Sequence, residues 1–276
     1  MKLIERFIQS KSPEPESCED GVVFTDRHAA VIDGATNKSG VTFGSISPGR
    51  IAMLLVSEAV ESFEPEITPE GALERINDRI RSWYERQGVL ETVRTHPASR
   101  CTASLVIYSE RRRELWFIGD CQALVDGTAY QFHKEADRVL SDLRALILHA
   151  ELAKGTTERE LMKLDLGRER ILEFLNLQTQ LQNSPYECEF TYHVVDGFSS
   201  DPARQITVVP VRDSTAAIVL ASDGYPRLFP TLAESESFLA ELLEQDPLCF
   251  RRWRSTKGRS SGNLSFDDRA YLRVAL

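Results

Sequence analysis

Ala217-Ile218-Val219-Leu220-Ala221-Ser222-Asp223-Gly224 passes from an unbroken apolar run to a serine, an acid and a glycine. A short apolar run closed by Asp-Gly reads as a buried strand that delivers its acid rigidly to the sheet rim. The same pattern recurs in Ala29-Ala30-Val31-Ile32-Asp33-Gly34 and in Trp116-Phe117-Ile118-Gly119-Asp120. Glu19-Asp20 form another acidic cluster beside an apolar run, and Asp267-Asp268 open the last apolar run of the chain. Carboxylates that converge at one rim repel one another unless a cation lies between them. Hard dications take oxygen ligands, and Mg²⁺ keeps several waters beside a few carboxylates. The pattern therefore points to two divalent metals that activate water against a phosphate ester.

Working outward, residues 1–10 read as an edge strand and 11–17, with Pro13 and Pro15, as an extended loop. Strands are predicted at 21–25 and 28–32, followed by a glycine-bearing loop at 35–44. Ser47-Pro48 and Thr68-Pro69 are N-cap and first-turn pairs that start two long helices, ending near Phe63 and Gly88. Ile51, Leu54, Leu55, Ala59 and Phe63 share a face in the first helix; Leu73, Ile76, Ile80, Trp83 and Tyr84 do so in the second. The period then changes. Strands are predicted at 102–108 and 114–118, and at 123–125 and 128–132 around Asp126-Gly127, a type I′ hairpin signal. Together these are expected to form an antiparallel meander.

Residues 134–182 predict a polar helical insertion with Leu140, Leu143, Leu146 and Ile147 on one face, either an outer layer or a flap gating the site. Strands at 190–195, 205–211 and 216–221, a helix at 234–244 and a closing strand at 270–275 complete the reading. Antiparallel runs interrupted by helix pairs argue for one α+β domain over residues 1–276, two packed antiparallel sheets with helices outside.

Hydrophobic content of 42% and charged content of 27% suit a soluble globular chain, and 276 residues are ample for a buried core. A formal net charge of −9 argues against nucleic acid or an anionic membrane as partner. No apolar stretch is long enough to cross a bilayer, and the first residues carry charges where a secretory signal is apolar, so the cytoplasm is expected. Cys18, Cys101, Cys121, Cys188 and Cys249 form no CxxC pair and read as scattered reduced thiols. His28, His96, His133, His149 and His193 show neither HxH nor HxxxH spacing, which argues against zinc.

Asp-Gly is also an ordinary turn dipeptide, and Asp20-Gly21, Asp126-Gly127 and Asp196-Gly197 are open to that reading. Asp33 and Asp223 differ because each ends an unusually apolar run. Taken in order, Glu19-Asp20, Asp33-Gly34, Gly119-Asp120, Asp223-Gly224 and Asp267-Asp268 resemble the metal-dependent protein phosphatases of the PP2C (PPM) family, over about residues 18–276. The resemblance implies two antiparallel sheets sandwiched between helix pairs, and Mg²⁺ or Mn²⁺ as cofactor. It implies that Asp33 bridges two ions, with the Gly34 carbonyl and the Glu19 carboxylate toward one, while Asp223 and Asp267 hold the other. It gives Asp20 a hydrogen bond from a metal-bound water and Asp120 a weaker third-metal position. A phosphorylated protein, at phosphoserine or phosphothreonine, is the implied substrate.

The departures carry chemistry too. Pro15 stands where the family places a phosphate-gripping arginine, and Glu14 and Glu16 flank it, so a phosphate dianion meets repulsion there. Arg227 stands where the family has an acid, which weakens the third metal and offers a substitute phosphate clamp. The loop Ala35-Thr36-Asn37-Lys38-Ser39-Gly40 replaces a histidine-glycine pair, with Asn37 and Lys38 as candidate substrate contacts or as a solvated loop. Three functions stay open: a Mg²⁺/Mn²⁺-dependent protein phosphatase, a phosphatase of small molecules, and a binding or regulatory module with weak or no turnover. Oligomeric state is not specified.

Overall fold

The computed structural model describes residues 1–36, 38–198 and 201–276; Asn37, one candidate substrate contact, lies outside them. The strands are β1 (Lys2–Gln9), β2 (Asp20–Phe24), β3 (His28–Gly34), β4 (Ala103–Ser109), β5 (Glu114–Ile118), β6 (Gln122–Val125), β7 (Thr128–Gln131), β8 (Thr207–Pro210), β9 (Ala217–Ala221) and β10 (Arg269–Ala275). The helices are α1 (Pro48–Glu61), α2 (Pro69–Gln87), α3 (Leu90–Thr95), α4 (Glu135–Ala153), α5 (Glu158–Lys163), α6 (Leu166–Leu177), α7 (Pro202–Gln205) and α8 (Leu232–Gln245). Two five-stranded antiparallel sheets result, one ordered β1-β10-β9-β6-β7 and the other β2-β3-β4-β5-β8. This is the α+β sandwich that the sequence predicts, with helices outside the sheets.

Alternation along doubly buried strands builds the layers. Val31, Val106, Tyr108, Leu115, Phe117, Ile218, Leu220 and Leu272 fill the space between the sheets. Their neighbours Ala30, Ile32, Leu105, Ile107, Trp116 and Ile118 turn the other way, onto Ile51, Leu55, Val56, Leu73, Ile76 and Ile80 of α1 and α2. On the far side, Val219, Ala221 and Tyr271 pack against Leu239 and Leu243 of α8. Fully burying each such aliphatic side chain contributes roughly 1.5–3 kcal/mol. The strand ends that carry the acids are therefore held in register by packing on both faces.

Several local expectations change. The predicted meander is split: β4 and β5 belong to one sheet, β6 and β7 to the other. The chain changes sheets just after β5, where Gly119 has a φ of +87°, and Asp120 sits in that crossing. The Asp126-Gly127 hairpin is as read, with φ of 48° and 79°, as a type I′ turn needs. Residues 190–195 are not a strand; they make only isolated bridges, Val195 to Ala103 and Tyr192 to Gln182. Leu54 and Leu146 are exposed. In α4 the buried stripe is Leu140, Arg144 and Leu148, at i+4 spacing, and an arginine on that stripe conceals it from a reading of apolar residues. Arg144 is fully buried and ties the 134–182 helices to the segment after α8, donating to Asp165 Oδ2 (2.6 Å) and to the carbonyls of Leu248 (2.8 Å), Cys249 (3.1 Å) and Ser255 (2.9 Å). No helix among the described residues is long and apolar enough to cross a membrane.

Candidate active site

Register brings the acids together. In the antiparallel pair β2/β3, Asp20 lies opposite Asp33, and in β3/β4 Asp33 lies opposite Ser104. The Ser104 hydroxyl donates to Asp120 Oδ1 at 2.6 Å. From the second sheet, Asp223 follows the end of β9, and Asp267 and Asp268 precede β10, its neighbour. The glycines after the two strand-ending acids serve close packing of backbone on backbone. A Cβ at Gly34 would lie 2.3 Å from the Gly49 carbonyl oxygen of α1, and one at Gly224 2.0 Å from that of Asp268.

Asp33, Asp120, Asp223 and Asp267 line one cavity of about 520 Å³. Glu19 and Asp20 do not line it and are buried, at 5% and 4% exposure. The Glu19 Oε1 accepts from the hydroxyl of Ser47, the N-cap of α1, at 2.6 Å. Among the described residues, no group of three or more His, Cys, Asp and Glu is arranged as a preformed metal cage.

Lysines already hold part of this acidic set. Lys134 Nζ lies 2.8 Å from Asp120 Oδ2, and Lys257 Nζ 2.5 Å from Asp267 Oδ2. Lys11 Nζ reaches Asp268 Oδ2 at 3.2 Å, Glu19 Oε2 at 3.4 Å and Asp267 Oδ1 at 3.8 Å. Against the pull of burial, Lys134 and Ser104 hold the Asp120 carboxyl below its usual range, and Lys257 and Lys11 do the same for Asp267.

Asp33 and Asp223 have no such relief: neither carboxylate has a hydrogen-bond or ion-pair partner among the described residues. Burial, then the charges of Asp223 and Asp20, push Asp33 well above the usual carboxylate range. Burial, then Asp267 and Asp120, push Asp223 up to about 7. Asp20 is raised by burial as well, and its Oδ2 is buried without a partner.

Cations line the same cavity: Lys134 and Lys257 in the ion pairs with Asp120 and Asp267, and Lys38 and Arg168 with no ion pair to these acids among the described residues. Burial pulls Lys38 down to about 8; the charge of Asp137 opposes the shift, and the positive charges of Lys134, Arg168 and Lys257 add to it. Sequence reasoning missed Lys11, Lys134, Lys257 and Arg168, which sit in loops or on a polar helix where no local pattern marks them. Arg227 does not line this cavity. It is exposed, stacks its guanidinium 4.9 Å from the centre of the Phe229 ring, and borders a separate cavity of about 300 Å³ with Phe238 and Trp253.

The donor set fits a hard dication in one place. Asp33 and Asp223 present unpartnered carboxylates to the cavity and Asp20 carries an orphaned buried oxygen, which are the groups a Mg²⁺ or Mn²⁺ ion would satisfy. Asp120, Asp267 and Glu19 are instead engaged by ammonium groups.

No family model matches the sequence, and no curated protein matches it significantly. Solved structures do match by fold. Serine/threonine phosphatase Stp1 from Staphylococcus aureus superposes with a TM-score of 0.51 at 12% identity, covering 100% of this chain and 95% of that one. The Mycobacterium tuberculosis serine/threonine phosphatase PstP/Ppp gives 0.48 at 16% identity, with 99% of each chain covered. The PstP catalytic domain in complex with two manganese ions gives 0.49 at 16%, with 100% of each covered. The Stp1 match shows a shared fold, the one the resemblance implies.

Proposed function

We propose that this chain hydrolyses phosphate monoesters, with phosphoserine and phosphothreonine proteins as the substrate class. One observation supports this most: a single cavity is lined both by Asp33 and Asp223, which have no ion-pair partner among the described residues, and by a wall carrying the cations Lys38 and Arg168. Acids suit a metal-activated water, and the cations suit a phosphate dianion. That wall supplies the positive charge that Pro15 fails to provide, and from within the cavity, as Arg227 does not.

A Mg²⁺ or Mn²⁺ ion held by Asp33 and Asp223 would supply a water of lowered pKa and polarise a phosphoryl oxygen. The chain's own groups do the rest. Asp20, paired in register with Asp33 and raised in pKa, takes the proton of the attacking water. Lys38 and Arg168 hold the phosphoryl oxygens. With its pKa near 8, Lys38 also passes a proton to the leaving alkoxide. No covalent phosphoenzyme is required.

The test is hydrolysis of p-nitrophenyl phosphate with Mn²⁺, with EDTA, and by Asp33→Asn, followed by a panel of phosphopeptides and small phosphorylated metabolites. Turnover that needs Mn²⁺ and Asp33 supports the proposal. Preference for the metabolites moves the substrate class to small molecules. Mn²⁺ binding without turnover on any substrate leaves a binding module in place of an enzyme.

A further inference from the structure

Resting on that reading of the site, we propose that the chain takes one divalent ion, at Asp33 and Asp223, and that the ammonium groups of Lys11 and Lys257 occupy the place of a second. Both oxygens of Asp267 are engaged: Oδ2 by Lys257 Nζ at 2.5 Å, Oδ1 by the Asp268 backbone N–H at 2.9 Å and Lys11 Nζ at 3.8 Å. Both oxygens of Glu19 are engaged as well, Oε1 by Ser47 at 2.6 Å and Oε2 by Lys11 at 3.4 Å. A second dication at Asp267 would have to displace two like charges.

Those ammonium groups are built in. Lys11 donates its backbone N–H to Asp268 Oδ1 at 2.7 Å and its Nζ to Asp268 Oδ2 at 3.2 Å, and the same Asp268 accepts the Glu19 backbone N–H at 3.0 Å. Lys11 and Lys257 both donate to the Thr36 hydroxyl at 3.3 Å. The two side chains are only 21% and 19% exposed. Charge follows the same division. Lys11 and Lys257 offset two of the three negative charges of Glu19, Asp267 and Asp268, whereas Asp33 and Asp223 have no ion-pair partner within 4 Å among the described residues, and a single dication balances two ionised carboxylates. Asp20, whose Oδ2 is buried without a partner, is paired in register with Asp33.

The experiment counts Mn²⁺ bound per chain by equilibrium dialysis and records its electron paramagnetic resonance spectrum. One ion with an isolated six-line spectrum is expected; Asp33→Asn and Asp223→Asn weaken binding by at least about tenfold, while Asp267→Asn changes it by less than about threefold. Replacing both ammonium groups, Lys11→Met with Lys257→Met, opens Asp267 and Glu19 and raises the count to two. If the double variant does not fold, Lys257→Met alone, in a loop, gives the same rise at higher Mn²⁺. Two ions with a spin-coupled spectrum in the unmodified chain overturn the inference. So does a count that stays at one after the lysines are removed. Two ions together with p-nitrophenyl phosphate turnover overturn it while leaving the phosphatase reading intact, and no bound ion at all sinks both.

Discussion

Replacing Asp223 with asparagine should make the metal-free protein more stable. Its carboxylate lines the cavity without an ion-pair partner among the described residues, and burial, Asp267 and Asp120 push it up to about 7, against an ordinary 3.8, with Lys257 and Lys134 opposing. A difference of about 3 units at about 1.4 kcal/mol each sets a ceiling of about 4 kcal/mol on the penalty once the group is ionised. Because the folded-state value is raised, the native chain binds more protons than the unfolded one between about 4 and 7. The penalty is full above about 7 and disappears as pH falls toward the unfolded value. Asn keeps the shape and removes the charge, so Asp223→Asn should exceed the parent by up to about 4 kcal/mol at pH 8 in EDTA, with the gap closing near pH 4.

Divalent metal should close most of that gap. Mn²⁺ at about a hundredfold its Kd stabilises a binding-competent chain by about 2.7 kcal/mol, and the variant should gain little of this. Urea unfolding at pH 8 and pH 5, with EDTA and with Mn²⁺, reads all four quantities. An asparagine variant no more stable than its parent in EDTA at pH 8, or one that Mn²⁺ stabilises equally, would refute the idea of an unpaired, metal-seeking acid.

Lys38→Met should raise KM for phosphate esters by roughly tenfold or more, the worth of a charged hydrogen bond. In the parent, KM should climb as pH passes about 8 and Lys38 loses its proton, and the variant's profile should be flat there in steady-state assays. Arg144→Met should cost about 3 kcal/mol, because it strands Asp165 and three buried carbonyls; chemical denaturation measures it, and limited proteolysis should locate the loosening in α4–α6. Arg227→Ala should leave kcat/KM unchanged, since the guanidinium borders a different cavity; a large drop would return it to the site.

The parts of this fold legible in the sequence are those where local chemistry and tertiary packing agree. Pro-capped helices at Ser47 and Thr68 begin where read, at Pro48 and Pro69, and α2 ends at Gly88 with a φ of 68°. The apolar runs ending at Asp33, Ile118 and Ala221 are strands because both their faces meet other layers. Sheet membership was not legible, as nothing local says that the chain should leave one sheet at Gly119 and continue in the other. The site divides in the same way. Its acids sit at strand ends and announce themselves by position. Its lysines arrive from the loop after β1, the start of the helical insertion and the irregular segment before β10, where charge without period looks like ordinary solvated surface.

The most direct measurement is Mn²⁺-dependent hydrolysis of p-nitrophenyl phosphate by the unmodified chain beside Asp33→Asn and Asp223→Asn. Turnover that EDTA abolishes, and that each substitution lowers by about a hundredfold or more, is the expected result. Turnover that survives in both variants, or none in a chain that binds Mn²⁺ normally, would contradict the claim that these two acids position a catalytic metal.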